Sequence, residues 1–223
     1  IFSLLMALLA FVGFANAQVV QIGEGTQKNN NIPYCTIWGY SYEQTIYLAN
    51  EIGMAGDITQ IAYQYSGGTT RNDHVTIYMK NVTRSSFASS DDPEPMTPAD
   101  IVYDGTFDIP EEPCWVTVYL DTPFHYDGTS NLVIGVHENS PGYSAREFYY
   151  NTGSVYRTIC YYNDYNDPDV YNLSGFSNRT VIYNRANIQL TFGGGGSVGQ
   201  ELVVEPELVM GFRPNNAWMA PFE

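Results

Sequence analysis

Positive charge is what this chain has least of. Against 24 Asp and Glu stand only 9 Lys and Arg, a formal net charge of −15 at pH 7. Such a surface repels phosphate backbones, which argues against nucleic acid as a partner. Cysteine is scarce as well, with only Cys35, Cys114 and Cys160 present. They form no CxxC pair and no Cys/His cluster, so zinc is not indicated. Catalytic signatures are missing too: there is no GxSxG elbow and no HExxH helix. His74, His125 and His137 are scattered on or beside strand-like runs and read as surface residues. A glycosidase carboxyl pair needs only closeness in space, and nothing selects one pair from the 24 acids. The expectation is a protein that is not an enzyme. Sustained 3.6-residue apolar periodicity is also lacking after Ala17, which argues against a helical domain.

The first 17 residues are of a different kind from the rest. They are uncharged and apolar and end in Ala15-Asn16-Ala17, a small-x-small pattern before Gln18. This reads as the apolar and cleavage regions of a secretory signal. The alternative is an N-terminal membrane anchor, for which the run is short. The expectation is therefore a secreted or cell-surface protein with no membrane span after cleavage. The start at Ile1 and the lack of a basic leader suggest a fragment of a longer precursor. In an oxidising compartment three cysteines leave one thiol over, or pair one outside the fragment, and the sequence does not choose among the three internal pairings.

The segment Trp115 to Val136 is the most informative. In Trp115-Val-Thr-Val-Tyr-Leu120 the residues Val116, Val118 and Leu120 share one face and Trp115, Thr117 and Tyr119 the other. In Asn131-Leu-Val-Ile-Gly-Val136 the stripe is Leu132, Ile134 and Val136, opposite Asn131, Val133 and Gly135. This period-two pattern predicts two half-buried strands, separated by Pro123 and an Asp127-Gly128 turn. Further strands are expected near 45–48, 58–65, 74–79, 101–107, 148–150, 155–161, 181–183 and 186–192. Breakers such as Ser66-Gly-Gly68, Ser89 to Pro95 and Pro110-Glu-Glu-Pro113 lie between them. Many short strands with Gly, Pro, Asn and Asp turns predict an all-β fold, an antiparallel β-sandwich of jelly-roll-like type.

The expected organisation is a signal at 1–17, a β-sandwich module at 18–192 and a Gly-rich linker at 193–200. Residues 201–223 resume an apolar pattern too short for a core and read as the start of a following module.

Several segments together resemble the all-β extracellular modules of secreted and surface proteins of Bacteroidetes-type bacteria, which accompany gingipain-like peptidases and haemagglutinin adhesins exported by the type IX pathway. The resemblance rests on Gln44-Thr-Ile-Tyr-Leu48, Gly56 to Tyr63, Val75-Thr-Ile-Tyr78, Ser86-Phe87 and Val102-Tyr-Asp-Gly105. It continues through Trp115-Val116, Leu120-Asp-Thr-Pro-Phe124 and Tyr126 to Val133. It implies a sandwich used for adhesion, ligand binding or spacing, with no peptidase site. The sequons at Asn81, Asn172 and Asn178 are then chance matches.

Two candidate constellations stand out. Asp164, Asn166, Asp167 and Asp169 offer the oxygen ligands that Ca²⁺ takes, although the spacing is not that of an EF-hand. The alternative is a polar inter-strand loop. Tyr149, Tyr161, Tyr162, Tyr165 and Tyr171 crowd a section whose aromatic faces and neighbouring Asn and Asp suit sugar rings. The alternative is that tyrosine simply favours strands. The function expected from these readings is a non-catalytic module binding a glycan or a host or extracellular protein. The rival expectation is a structural spacer accessory to a downstream peptidase or glycoside hydrolase domain.

Overall fold

A computed structural model describes residues 17–193; the expected signal up to residue 16, the linker from 194 and the segment 201–223 lie outside the described residues. The chain is an all-β sandwich of two antiparallel sheets. Six strands form one sheet in the order β11 (Arg179–Ile182), β10 (Thr158–Asn163), β3 (Tyr40–Tyr47), β8 (Asn131–Glu138), β5 (Arg71–Val82) and β6 (Ile101–Ile109). In the second sheet β1 (Gln18–Ile22), β13 (Ile188–Phe192), β4 (Gly56–Tyr65) and β7 (Cys114–Tyr126) lie side by side. β9 (Phe148–Thr152) joins at the end of β4 through Tyr65 and Phe148, and carries β2 (Gln27–Asn29) and β12 (Asn184–Ala186). The chain enters and leaves through the β1–β13 pair, where Gln18 lies opposite Phe192.

Alternation along the strands builds the core. Ile188, Leu190 and Phe192 turn inward from β13, Val116 and Val118 from β7, and Leu132, Ile134 and Val136 from β8. Each such side chain contributes on the order of 1.5–3 kcal/mol by leaving water. The strands predicted in the sequence all exist, several of them longer than expected. Three are additional: β1, β2 and the short β12, which ends where the predicted 186–192 strand was expected to begin. β7 differs most, because it passes through Pro123 instead of ending before it. Tyr119 pairs with Gln60 and Phe124 with Ile58, so 120–123 bulge away from β4 and Pro123 has no β4 partner to donate to.

The half-buried reading of β8 needs correcting, and its neighbour β3 shares the reason. Their second face is roofed by the segments 83–100 and 164–178, which bring Phe87, Met96, Val170 and Leu173 onto Tyr42, Ile46, Val133 and Tyr161. Gly135 is part of that packing. A Cβ there would stand 2.8 Å from the Tyr42 hydroxyl, which Gln44 already holds by a 2.9 Å hydrogen bond.

One end of the interior is polar. Asp73 is 1% exposed, and its carboxylate accepts hydrogen bonds from Arg71, from the equally buried Arg146 and, at 2.9 Å, from the Tyr34 hydroxyl. Glu43 and Glu138 lie nearby, both buried. Glu138 Oε1 accepts from the Ser140 amide at 2.8 Å, and Glu43 Oε2 from the Ser41 hydroxyl at 3.1 Å. Burial, helped by the neighbouring Asp73, raises Glu138 from an ordinary 4.5 to about 8, and burial also raises Glu43 well above the carboxyl range.

Two outcomes are expected from this arrangement. Asp73→Ala leaves a buried guanidinium without its partner and should cost about 3–5 kcal/mol in urea unfolding. A cost below ~1 kcal/mol would show that Asp73 does not hold the end together. Between about pH 4.5 and 8 the folded state keeps a proton on Glu138 that the unfolded chain has lost, so stability falls as pH rises through that window. Glu138→Gln should flatten this fall, and parallel Tm–pH profiles for the two proteins would refute the assignment.

Candidate functional site

The outer face of the second sheet is open to solvent, and alternation fixes what it displays. Because Ile61, Tyr63 and Tyr65 of β4 point into the core, Gln60, Ala62 and Gln64 point out. The same parity turns Val19 and Gln21 outward from β1, Gln189 and Thr191 from β13, and Trp115, Thr117 and Tyr119 from β7. Register aligns these residues in rows. Val19, Thr191, Gln60 and Tyr119 form one, and Gln21, Gln189, Ala62 and Thr117 the next. Gln64 beside Trp115 begins a third. Strand geometry separates Trp115 from Tyr119 by roughly 13 Å along β7 and neighbouring strands by about 4.8 Å. Tyr119 is 69% exposed and Val19 54%, so the row through them is open to solvent, whereas Ala62 in the next row is only 5% exposed.

The amides are partly held. Gln189 Nε2 donates to Gln21 Oε1 at 3.0 Å, and buried Asn187 donates to Gln64 Oε1 at 2.7 Å. The latter bond uses the Gln64 oxygen, and its NH₂ group has no acceptor among the described residues.

At the Trp115 end the face deepens into a concavity of about 660 Å³, lined by Trp115, Tyr149, Lys28, Glu24, Gln21 and Gln64. Its far wall is the strap 23–29. Gly25 lets that strap lie directly on β9, since a Cβ there would fall 1.7 Å from the Tyr150 carbonyl oxygen. β2 then sets Lys28 opposite Tyr149, and the ammonium stands 5.5 Å from the ring centroid, in cation–π range. Among the described residues Lys28 is the only Lys or Arg without an acidic partner within 4.0 Å. Cys114 also lines this concavity, and its thiol is raised by partial burial.

The expected ligand tyrosines fall in separate places. Tyr149 lies in this concavity. Tyr161 and Tyr171 line a smaller one of about 350 Å³ between the two roofing segments of the other sheet. There the Tyr161 hydroxyl donates to the Ser90 carbonyl at 3.0 Å, and the Tyr171 hydroxyl stands 3.5 Å from that of Tyr78. Tyr162 packs on Trp38 with ring centroids 5.0 Å apart, and Tyr165 is 88% exposed in its loop.

The expected calcium ligands are engaged one by one. Asp164 Oδ1 accepts from the Gly39 amide at 3.1 Å, and Asp169 Oδ1 from the Tyr171 amide at 3.0 Å. Asp167 meets His137 Nε2 at 2.6 Å, and the Asn166 backbone N–H, not its side chain, donates to Asn163 Oδ1 at 3.1 Å. Among the described residues no group of three or more His, Cys, Asp and Glu side chains is placed to hold a metal ion. His137 is less of a surface residue than expected, with its side chain only 12% exposed beneath Asp167.

Sequence reasoning placed Trp115, Thr117 and Tyr119 on one strand face but did not treat them as ligand residues. Gln21, Gln60, Gln64, Gln189, Lys28 and Glu24 went unremarked. The signal for them was the alternation of Gln60-Ile-Ala-Tyr-Gln64 and Gln189-Leu-Thr191, which acquires meaning only once the strands are known to be neighbours.

Compared with known proteins, the chain matches no protein-family profile, and no curated protein matches it. No helix among the described residues is long and apolar enough to cross a membrane.

Proposed function

We propose that this chain is a non-catalytic carbohydrate-binding module of a secreted or cell-surface protein, and that its glycan lies on the open face between Trp115 and Tyr119. The observation that carries the reading is the frame itself: two outward aromatic residues spaced roughly 13 Å along β7, with rows of Gln and Thr beside them on the outer sheet face. Sugar rings present C–H faces that stack on aromatic rings, and hydroxyls that both donate and accept, as carboxamides do. The concavity with Tyr149, Lys28 and Glu24 is the place for the most deeply held sugar, since small-ligand sites are concave with a few convergent polar groups. A net charge of −15 favours a neutral glycan over a polyanion.

The resemblance of segments from Gln44 to Val133 to Bacteroidetes-type surface modules supports an extracellular, modular setting. Calcium at 163–169 stays outside the proposal, because the Asp164, Asp167 and Asp169 carboxylates each have a separate partner. Adhesion to a host protein, or a spacer role beside a catalytic domain, are the rivals that the experiment separates.

The full chain is screened against arrayed neutral glycans and polysaccharides, with tryptophan fluorescence titration of each hit. Trp115→Ala and Tyr119→Ala are expected to weaken binding at least about tenfold, the equivalent of ~1.4 kcal/mol, while Tm stays near that of the parent. Tyr165→Ala, remote from the face, should bind as the parent does. Hits that survive both aromatic substitutions, or an empty array, would overturn the proposal.

A further inference from the structure

Cys35 and Cys160 lie far apart in the chain and come together at the polar end of the sandwich. Both are 0% exposed. The Cys35 thiol donates to Asn31 Oδ1 at 3.1 Å, and that of Cys160 to the Asn31 carbonyl oxygen at 3.8 Å, so a single residue touches both sulfurs. Glu43 joins them from the other side. It is directly opposite Cys160 in the β3–β10 register, and its carboxyl accepts from Ser41, whose hydroxyl oxygen in turn accepts the Cys35 amide at 2.9 Å. Glu43 Oε1 has no protein hydrogen-bond partner. Cys114 lies apart, beside the Trp115 concavity on the other sheet's outer face.

We propose that Cys35 and Cys160 are the two halves of a disulfide that clamps the 30–39 segment onto β10, with Cys114 as the residual thiol. The oxidant is a disulfide of the thiol–disulfide exchange class, either that of an oxidoreductase or oxidised glutathione. The thiolate of one cysteine attacks an oxidant sulfur and displaces the other as thiolate, giving a mixed disulfide. The second cysteine's thiolate then attacks the protein sulfur of that mixed bond. Two protons leave the protein thiols, two electrons pass to the oxidant, and the oxidant departs as a dithiol or as two thiols.

Timing follows from burial. Exchange requires a thiolate and access. In the closed fold both thiols are raised far above the ordinary range, chiefly by burial and then by Glu43. The bond therefore forms before 30–39 closes over β10, and once formed it lies beyond the reach of soluble reductant. This proposal is independent of glycan binding, since neither sulfur lines the open face.

The test is oxidative refolding of the full chain in a glutathione redox buffer, alkylation under denaturing conditions and non-reducing peptide mapping. The expected result is one cross-linked peptide pair joining Cys35 to Cys160, lighter than the two thiol peptides by two hydrogen atoms, with Cys114 alkylated. Refolding under strong reductant should lower Tm by roughly 5–15 °C relative to the oxidised protein, and Cys114→Ser should leave that difference intact. Alkylation of both Cys35 and Cys160 after oxidative refolding, or a bond that includes Cys114, would overturn the assignment. The mapping is done on the unsubstituted chain, so it does not depend on a cysteine variant folding.

Discussion

The buried carboxylate of Asp73 is the constraint around which the rest of the molecule is arranged. It is the common acceptor for Arg71, Arg146 and Tyr34, which come from three separate stretches of chain. Arg71 also reaches the carbonyls of Pro141 and Gly142, and the backbone of Arg146 is bonded in both directions to Thr36. The segments 30–36 and 139–147 are thereby fixed across one end of the sandwich. Two residues after Arg146, Phe148 packs against Tyr34, Tyr65 and Phe107 and starts β9, the strand that carries Tyr149 to the concavity. The position of a solvent-facing aromatic at the candidate site is thus set by a charge cluster in the interior. Such clusters contribute little net stability against an apolar replacement but heavily penalise the loss of one member.

The two sheets solve the same problem in opposite ways. Both have an inner face filled with aliphatic and aromatic side chains. The six-stranded sheet also has apolar residues on its outer face, and long segments fold back to cover them. The other sheet carries Gln, Thr and the aromatics Trp115, Tyr119 and Tyr149 outside and needs no roof. Long connections were spent on one side only, which is what leaves the other accessible.

Much of the fold was legible because period-two patterning is a local property. Ile188, Leu190 and Phe192, or Val116 and Val118, announce their face without reference to any neighbour. β2 was not legible, since Gln27-Lys-Asn29 has no apolar residue and is a strand only because β9 lies beside it. Roofing of Val133 and Gly135 was hidden for a related reason: the covering residues lie in segments that read as loops. For the site, density along the chain proved a poor guide to density in space. Tyr161 and Tyr162 are neighbours in sequence and point to opposite faces of β10, one beneath the roofing segments and the other against Trp38. The residues of the open face are spread from Val19 to Thr191 and meet only through strand order. Periodicity gives parity, and it does not give partners.

The pairing of Gln18 with Phe192 has a mechanical meaning. Gln18 and Phe192 stand side by side at one corner, so a pull on the two ends of the sandwich loads the β1–β13 ladder before any other pair of strands. That ladder runs from the corner toward Gln21, at the concavity. The deepest part of the face therefore lies away from the corner where the two ends of the sandwich meet, as the bowl of a spoon does from its handle.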